Sequence, residues 1–457
     1  MEAMSRESAN RFSRLGNPAG TERRARRPRA QKAWPDRDDV WYRLGVKRPL
    51  ALAAVCLSLA MMAAPVAAQT PLFQQPGLPG LVDLQGLDQP RRAPLTITPS
   101  LTLTGEYNDN VFADNRNRVS DFIIGFTPGI AVTYERPTYR LSTGYNFTAE
   151  IFAKERDQDH AFDRQNFWLD TLWRVDPHVT LTLTDAFAFS TDTNLISRES
   201  ISTGRERSLG NTLGGGVAWQ IDPLWRLRTN AYWTAQRFET TDLLNSDVYR
   251  ATVFLDRQLT REITGTAGYE FTYFDIRGQP NFTAHAPRIG GAWQPTATAS
   301  FSLNGGPAFL IREDGDTTIT PVLTATYAQR LPFGLAGVSY DRYLGTASGL
   351  GGPTENDYIS GYLVVTSLLR GLTVQLVPRY TIAKSPHGSA VDIKAFTGSL
   401  YAVYRLTEVV SLIGGYQFFH QRSDSTAVST LGNPIATDAD QNRVFFGIQF
   451  GYPIRFD

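Results

Sequence analysis

The sequence predicts an all-β fold: a single transmembrane antiparallel up-and-down β-barrel of 18 strands. Three observations predict it. Long segments alternate apolar and polar residues with a period of two. Short turns alternate with longer polar loops. The second face of each strand is small and polar, without the dense Lys and Glu that a water-facing sheet carries.

The alternation is plainest at the end of the chain, in "RVFFGIQFGYPIRFD". Val444, Phe446, Ile448, Phe450, Tyr452, Ile454 and Phe456 make one wholly apolar face. "SDFIIGFTPGIAVTYE" sets Phe122, Ile124, Phe126, Ile130, Val132 and Tyr134 against Gly125, Thr127, Gly129, Ala131 and Thr133. "PTYRLSTGYNFTAEIF", "PLWRLRTNAYWTAQ" and "GLTVQLVPRYTIA" repeat the pattern. A period of two is that of a strand, because successive side chains point to opposite faces.

Short turns are predicted at 135–137, 176–178, 222–224, 260–262, 295–297, 331–333, 370–371 and 407–408. Longer loops fall near 108–118, 154–162, 191–207, 239–246, 277–283, 312–316, 346–356, 384–391 and 422–440. Eight turns and nine loops join 18 strands. The hairpin repeat of roughly 40 residues could also mean propeller blades. A blade needs four strands in that span, and here there are two long ones.

A soluble sandwich would bury its apolar faces against each other. Here one face is rich in Leu, Val, Ile, Tyr and Trp, which suits lipid. The other is rich in Thr, Ser, Gly, Asn and Arg, which suits a confined wet lumen. No backbone group can stay unpaired in hydrocarbon, so the sheet must close. The last strand is expected to close on "LTITPSLTLTGEY", with Leu95, Ile97, Leu101, Leu103 and Tyr107 facing lipid. Bacterial outer-membrane barrels have even strand numbers, short periplasmic turns, long external loops and aromatic girdles. Trp173, Trp219, Trp225 and Trp293 each lie near a short turn, where a girdle would sit. The pattern therefore predicts the outer membrane of a Gram-negative bacterium, both termini periplasmic, and loop 191–207 outside.

The chain has 457 residues and divides by composition. Its first 68 residues hold 13 Lys+Arg and 6 Asp+Glu, and the remainder has a net charge of −6. Residues 46–68 read as a secretory signal: Lys47 and Arg48, an apolar run from Leu50 to Ala64, and the small-residue site Val66-Ala67-Ala68. Residues 1–45 are a basic extension, best read as untranslated, with translation starting at a site such as Val46. A basic arm ahead of a secretion signal has no nucleic-acid partner. Residues 69–94 read as a periplasmic linker and 95–457 as the barrel. The single cysteine, Cys56, lies in the signal, so the mature chain has no thiol and no disulfide.

The terminal strand resembles the recognition signal by which outer-membrane barrels reach their assembly machinery, with Phe450, Tyr452 and Phe456 as its aromatics. Asp457 departs from the usual final Phe. More broadly, "LTGEYNDNVF", "RVDPHVTLTLTDAF" and "QIDPLWRLRTNAYW" resemble the outer-membrane β-barrel porin family of the kind found near exopolysaccharide and exosortase loci. That resemblance implies location and architecture. It also implies exopolysaccharide export components as partners.

Chemistry is sparse. His160, His178, His285, His387 and His420 show no metal-ligand spacing. "SPHGS" places His387 near Ser385 and Ser389, which a polar loop explains better than catalysis. "YNDNVFADNRN" could hold Ca²⁺ but lacks regular ligand spacing, and Asx turn chemistry explains it better. No enzyme, cofactor or metal is expected. By parity the lumen holds Glu106, Arg140, Glu150, Asp170, Arg174, Arg226, Arg228, Arg250, Asp256, Glu270, Arg288, Asp341, Arg379, Arg405 and Arg443. Charges of both signs inside a membrane commonly pair, and pairing is the plainer reading. The sharper one is a weakly anion-preferring pore in which Arg226, Arg228 and Arg250 concentrate charge. Asp185 falls on the lipid face by parity, unless a bulge re-aims it. The expected function is a porin-like passive channel for small polar or anionic solutes. The alternative is a non-conducting accessory barrel serving export or anchoring of surface polysaccharide.

Overall fold

The structure is a computed structural model that describes residues 94–196, 198–386, 390–426 and 436–456. The basic extension, signal, Cys56, the linker up to residue 93, His387 and Asp457 lie outside the described residues. The strands are β1 (Leu95–Asn108), β2 (Asp121–Arg136), β3 (Tyr139–Phe152), β4 (His160–Asp176), β5 (Val179–Asp192) and β6 (Arg205–Gln220). Then follow β7 (Trp225–Phe238), β8 (Ser246–Gln258), β9 (Ile263–Ile276), β10 (Phe282–Thr296), β11 (Ala299–Arg312) and β12 (Thr317–Leu331). The last are β13 (Gly334–Gly345), β14 (Thr354–Val365), β15 (Leu372–Lys384), β16 (Asp392–Arg405), β17 (Val410–Ser423), β18 (Ala439–Gly451) and the short β19 (Ile454–Phe456).

Each strand pairs antiparallel with its neighbours in chain order, and β1 pairs with β18 as well as β2, so the sheet closes. β18 and β19 are one strand. Ser100 faces Gly451 and Ile97 faces Ile454, an unbroken register. The ladder is interrupted between them because Pro453 and, on the facing strand, Pro99 have no N–H to give. The Tyr452 N–H still reaches the Pro99 carbonyl at 3.1 Å. The ring therefore has 18 strands.

The outer face is the apolar one. Leu103, Tyr107, Phe122, Ile124, Phe126, Ile130, Val444 and Phe446 are all exposed there. The alternate residues Thr102, Glu150, Thr127 and Phe445 are buried or turned inward. A continuous apolar band of this kind is far more than a soluble monomer shows water. Trp173 and Trp293 stand exposed beside the short-turn end, and Trp225 there lies under the Arg257 guanidinium, 5.0 Å from its ring.

Two expectations need correction. Length does not separate turns from loops throughout: turn 366–371 is longer than loop 313–316. Loop 191–207, expected to stand outside the barrel, folds into it.

Candidate functional site: the lumen and its inward loops

The inward fold begins at a register shift. Ser190 faces Ser208, but Asp192 faces Arg205, so the ladder between β5 and β6 is irregular where β5 ends. Such an irregularity bends a strand and re-aims its side chains. Asp192 is thereby buried among three arginines. Its carboxylate accepts from Arg164 Nη2 at 2.8 Å, Arg205 Nη1 at 2.9 Å and Arg443 Nη1 at 3.0 Å. Arg443 Nε donates to Glu106 at 2.7 Å, and Arg164 lies 2.6 Å from Glu150. His160 sits 3.5 Å from the same Glu150. Three guanidinium groups thus meet three carboxylates, which is how charge is tolerated away from bulk water.

From Asp192 the loop 193–204 crosses the lumen. Its neck is closed by Thr193, whose hydroxyl donates to the Gly204 carbonyl at 3.1 Å and accepts from the Thr203 N–H at 2.8 Å. Gln421 of β17, fully buried, accepts from the Ser202 N–H at 2.9 Å and donates to the Ser202 carbonyl at 2.8 Å. The side-chain amide thereby pairs with the loop as a strand would. Arg198 donates to Asp341 of β13 and lies over two rings, 5.0 Å from that of Tyr343 and 4.5 Å from that of Tyr358. Burial works against the Arg198 cation, but Tyr343, Asp341 and Tyr358 reverse this and raise its pKa. Next to it, Glu199 accepts from the Tyr343 hydroxyl at 2.8 Å. Counted from β6 around the ring, β13 and β17 are each seven strands away, in opposite directions. The loop therefore braces opposite walls. Gly210 of β6 makes room for it: a Cβ there would collide with the Ile196 carbonyl.

A second loop, 346–353, enters from the far wall. "GTASGLGGP" turns sharply through Ser348, Gly349, Gly351 and Gly352, all at positive φ. Gly349 accepts from the Leu244 N–H at 2.8 Å, and Thr346 donates to Gln236 of β7 at 3.2 Å. A side chain at Gly349 would also run into Phe238. The two loops share an apolar core inside the barrel, made by Ile196 and Ile201 with Phe238, Leu243, Ala347 and Leu350. Sequence reasoning missed it. The available signal was Ile196, Ile201 and Leu350, apolar residues in segments otherwise read as polar loops.

The structure sorts the charges predicted for the lumen. Arg228 makes a forked pair with Asp256, with Nη2 at 2.8 Å. Glu270 receives Arg288 at 2.6 Å and Arg250 at 3.4 Å, and Arg250 also donates to the Leu344 carbonyl at 3.0 Å. Arg140 lies 3.8 Å from Asp170. Arg226 donates to Gln220 at 3.2 Å. Among the described residues Arg174, Arg226, Arg379 and Arg405 have no carboxylate partner. Arg226 and Arg228 are neighbours on β7, but Arg250 lies further along the hairpin, opposite Tyr232, and two of the three have carboxylate partners.

Beneath loop 193–204 is a cavity of about 40 Å³, lined on one side by Arg379, Thr397, Ser399 and Gln417 and on the other by Asn194 and Ser200. Arg443, Arg164 and Glu106 complete its wall.

Loop 109–120 latches the barrel seam, with Val111 packed on the inward-facing Ile123 and Phe152. Asn115 and Asn110 contact Asp440, and Gln441 donates to the Asn110 carbonyl at 2.7 Å. Asn108, Asn110 and Asp114 accept backbone N–H groups nearby, as Asx turns do. Phe450, Tyr452 and Phe456 are exposed on the outer face of the closing strand. Asp185 faces Leu213 in regular register, so no bulge re-aims it, and the Asn211 side chain accompanies it. His285 packs beside Tyr269 and Phe271, and His420 beside Asp440.

No family model matches the chain, and no curated protein matches it. Among solved structures it is similar to OpdO of Pseudomonas aeruginosa, with 14% identity over 79% of this chain and 97% of that one and a TM-score of 0.39. A BenF-like porin from Pseudomonas fluorescens Pf-5 has 11% identity over 79% and 99%, TM-score 0.40. OccAB3 of Acinetobacter baumannii has 10% identity over 78% and 99%, TM-score 0.38. Likenesses this remote carry no activity over to this chain.

Proposed function

We propose that the chain is an outer-membrane, porin-like passive channel for small polar or anionic solutes, narrowed by loop 193–204. The carrying observation is that this loop is tied to opposite walls of a closed barrel whose inner face is polar. A barrel of this strand number encloses an aqueous passage unless something fills it, and the bracing loop fixes where the passage is tightest. The apolar outer band and the exposed aromatics at the short-turn end support a membrane location. Pro94 and Phe456 lie at that short-turn end, which for an outer-membrane barrel is the periplasmic one.

Selectivity follows from the charge that is left after pairing. The Asp192 cluster balances within itself, whereas Arg228, Arg250 and Arg288 meet only Asp256 and Glu270, which leaves one positive charge. Arg174, Arg226, Arg379 and Arg405 remain as well, so the preference is for anions. Conductance of the purified barrel in a planar bilayer under a salt gradient tests this. Discrete ohmic steps with anion preference are expected. That preference should fade at high salt, where the screening length falls to about 3 Å at 1 M. Arg379→Ala should reduce the preference. Arg228→Ala should reduce it too, by unmasking Asp256. No conductance at any salt, either of the wild type or after deletion of loop 193–204, would overturn the channel reading.

The second reading, a non-conducting accessory barrel for surface polysaccharide, is favoured by one observation: the apolar core that the two loops build inside the lumen. If wild type is silent, deletion of loop 193–204 separates the readings. Conductance that appears on deletion means a closed channel, and continued silence means an accessory barrel.

A further inference from the structure

We propose that the cavity beneath loop 193–204 is a binding site for a small oxyanion group, held by Arg379 with the hydroxyls of Thr397 and Ser200. The inference deepens the channel reading and rests on it for its physiological meaning, though not for its test.

Four observations carry it. Arg379 lines the cavity and has no ion-pair or hydrogen-bond partner among the described residues. Thr397 is its direct cross-strand neighbour on β16, so the two side chains project side by side from the wall. The Thr397 hydroxyl is buried and has no hydrogen-bond partner, and the same holds for Ser200 on the loop above. Two buried hydroxyls around one cavity are thereby left free to donate to a bound group. Finally, the other cations of the cavity wall, Arg164 and Arg443, are balanced together with Arg205 by the three carboxylates Glu150, Asp192 and Glu106. The net fixed charge there is that of Arg379, and it favours an anion.

The chemistry that fits is narrow. A guanidinium offers a planar fork of N–H donors, which complements carboxylate or phosphate oxygens. Two hydroxyls can donate to the oxygens the fork leaves free, and Asn194 and Gln417 lie along the same walls. A cavity of about 40 Å³ holds a few water molecules or one such group, not a sugar ring. The rest of the solute would have to extend along the lumen.

The test is calorimetric titration of the full-length barrel, folded in detergent micelles, with inorganic phosphate, acetate and glycerol as probes. Saturable binding of phosphate or acetate is expected, with none of glycerol. The two anions distinguish a phosphate from a carboxylate group as the preferred occupant. Arg379→Gln should weaken binding at least tenfold, and Thr397→Val several-fold. Arg405→Gln, on the inner wall outside the cavity, should leave binding unchanged. Heat-modifiable migration on a gel reports folding of each variant, and Thr397→Val stands in if Arg379→Gln fails to fold. Absence of saturable anion binding by the wild type, or wild-type binding by the folded variants, would overturn the site. Bilayer conductance of the same preparation separates the two ideas. Binding without conductance removes the channel and keeps the site, whereas conductance without binding does the reverse.

Discussion

Arg443 and Asp192 stand on β18 and β5, five strands apart around the ring, yet Arg443 Nη1 lies 3.0 Å from Asp192 Oδ2. Adjacent strands of a sheet are roughly 4.8 Å apart, so no contact along the wall can span this gap. The end of β5 has left the wall, and the ion pair measures how far. Arg443 is held in turn by Glu106, on the seam strand β1. The loop that crosses the lumen is thereby fastened to the place where the barrel closes.

Asp192→Asn should release that fastening. Removing one partner from a buried charge network leaves the others uncompensated and costs about 3–5 kcal/mol. Here the loss falls on Arg164, Arg205 and Arg443 together. The urea midpoint of barrel unfolding should fall, and loop 193–204 should become sensitive to protease. An unchanged midpoint with an unchanged cleavage pattern would show that the cluster is incidental.

Trypsin added to intact cells should spare Arg198, which is buried against Asp341, Tyr343 and Tyr358. Arg277 and Arg312, at the outer ends of their hairpins beside loops 277–281 and 313–316, are exposed and should be the sites cut. Peptide mapping of the shaved surface decides. Cleavage at Arg198 in the wild type would mean that the loop does not stay inside the barrel, and cleavage only in the short turns would reverse the orientation.

Gly210→Ala should displace loop 193–204 without opening the barrel wall, because the added methyl collides with the Ile196 carbonyl. Larger single-channel conductance is expected, with normal heat-modifiable migration. Gly215→Ala is the control, since its Cβ would meet only the Thr182 carbonyl at 3.8 Å. Equal conductance in both variants would argue against the loop as the narrowest point.

Phe456→Ala combined with Tyr452→Ala tests the closing strand. Both rings are on the outer face, Tyr452 being 63% exposed, so the folded barrel loses little packing without them. Secreted but unfolded chain in the periplasm is expected, read as loss of heat-modifiable migration. A normally folded double variant would remove the reading of this strand as an assembly signal.

The wall of this protein was legible in its sequence. Strand period, strand number and the outward placement of Leu103, Phe126 and Phe446 follow from alternation, because a side chain on a strand has only two directions available and lipid accepts only one kind. The lumen charges were read from the same parity. Their pairing was not. Arg228 and Asp256 lie close in sequence on one hairpin, but Arg443 with Asp192, and Arg198 with Asp341, join segments that only the curvature of the closed ring brings together. Loop 191–207 was placed outside because long loops alternate with short turns, and its polar residues Thr193, Arg198, Glu199 and Ser202 instead satisfy the polar inner wall. Sequence alone therefore determined which face of each strand points out of the barrel, a local choice made residue by residue. Only the tertiary structure decided what fills the lumen, since that depends on which groups the closed cylinder sets opposite one another across its diameter.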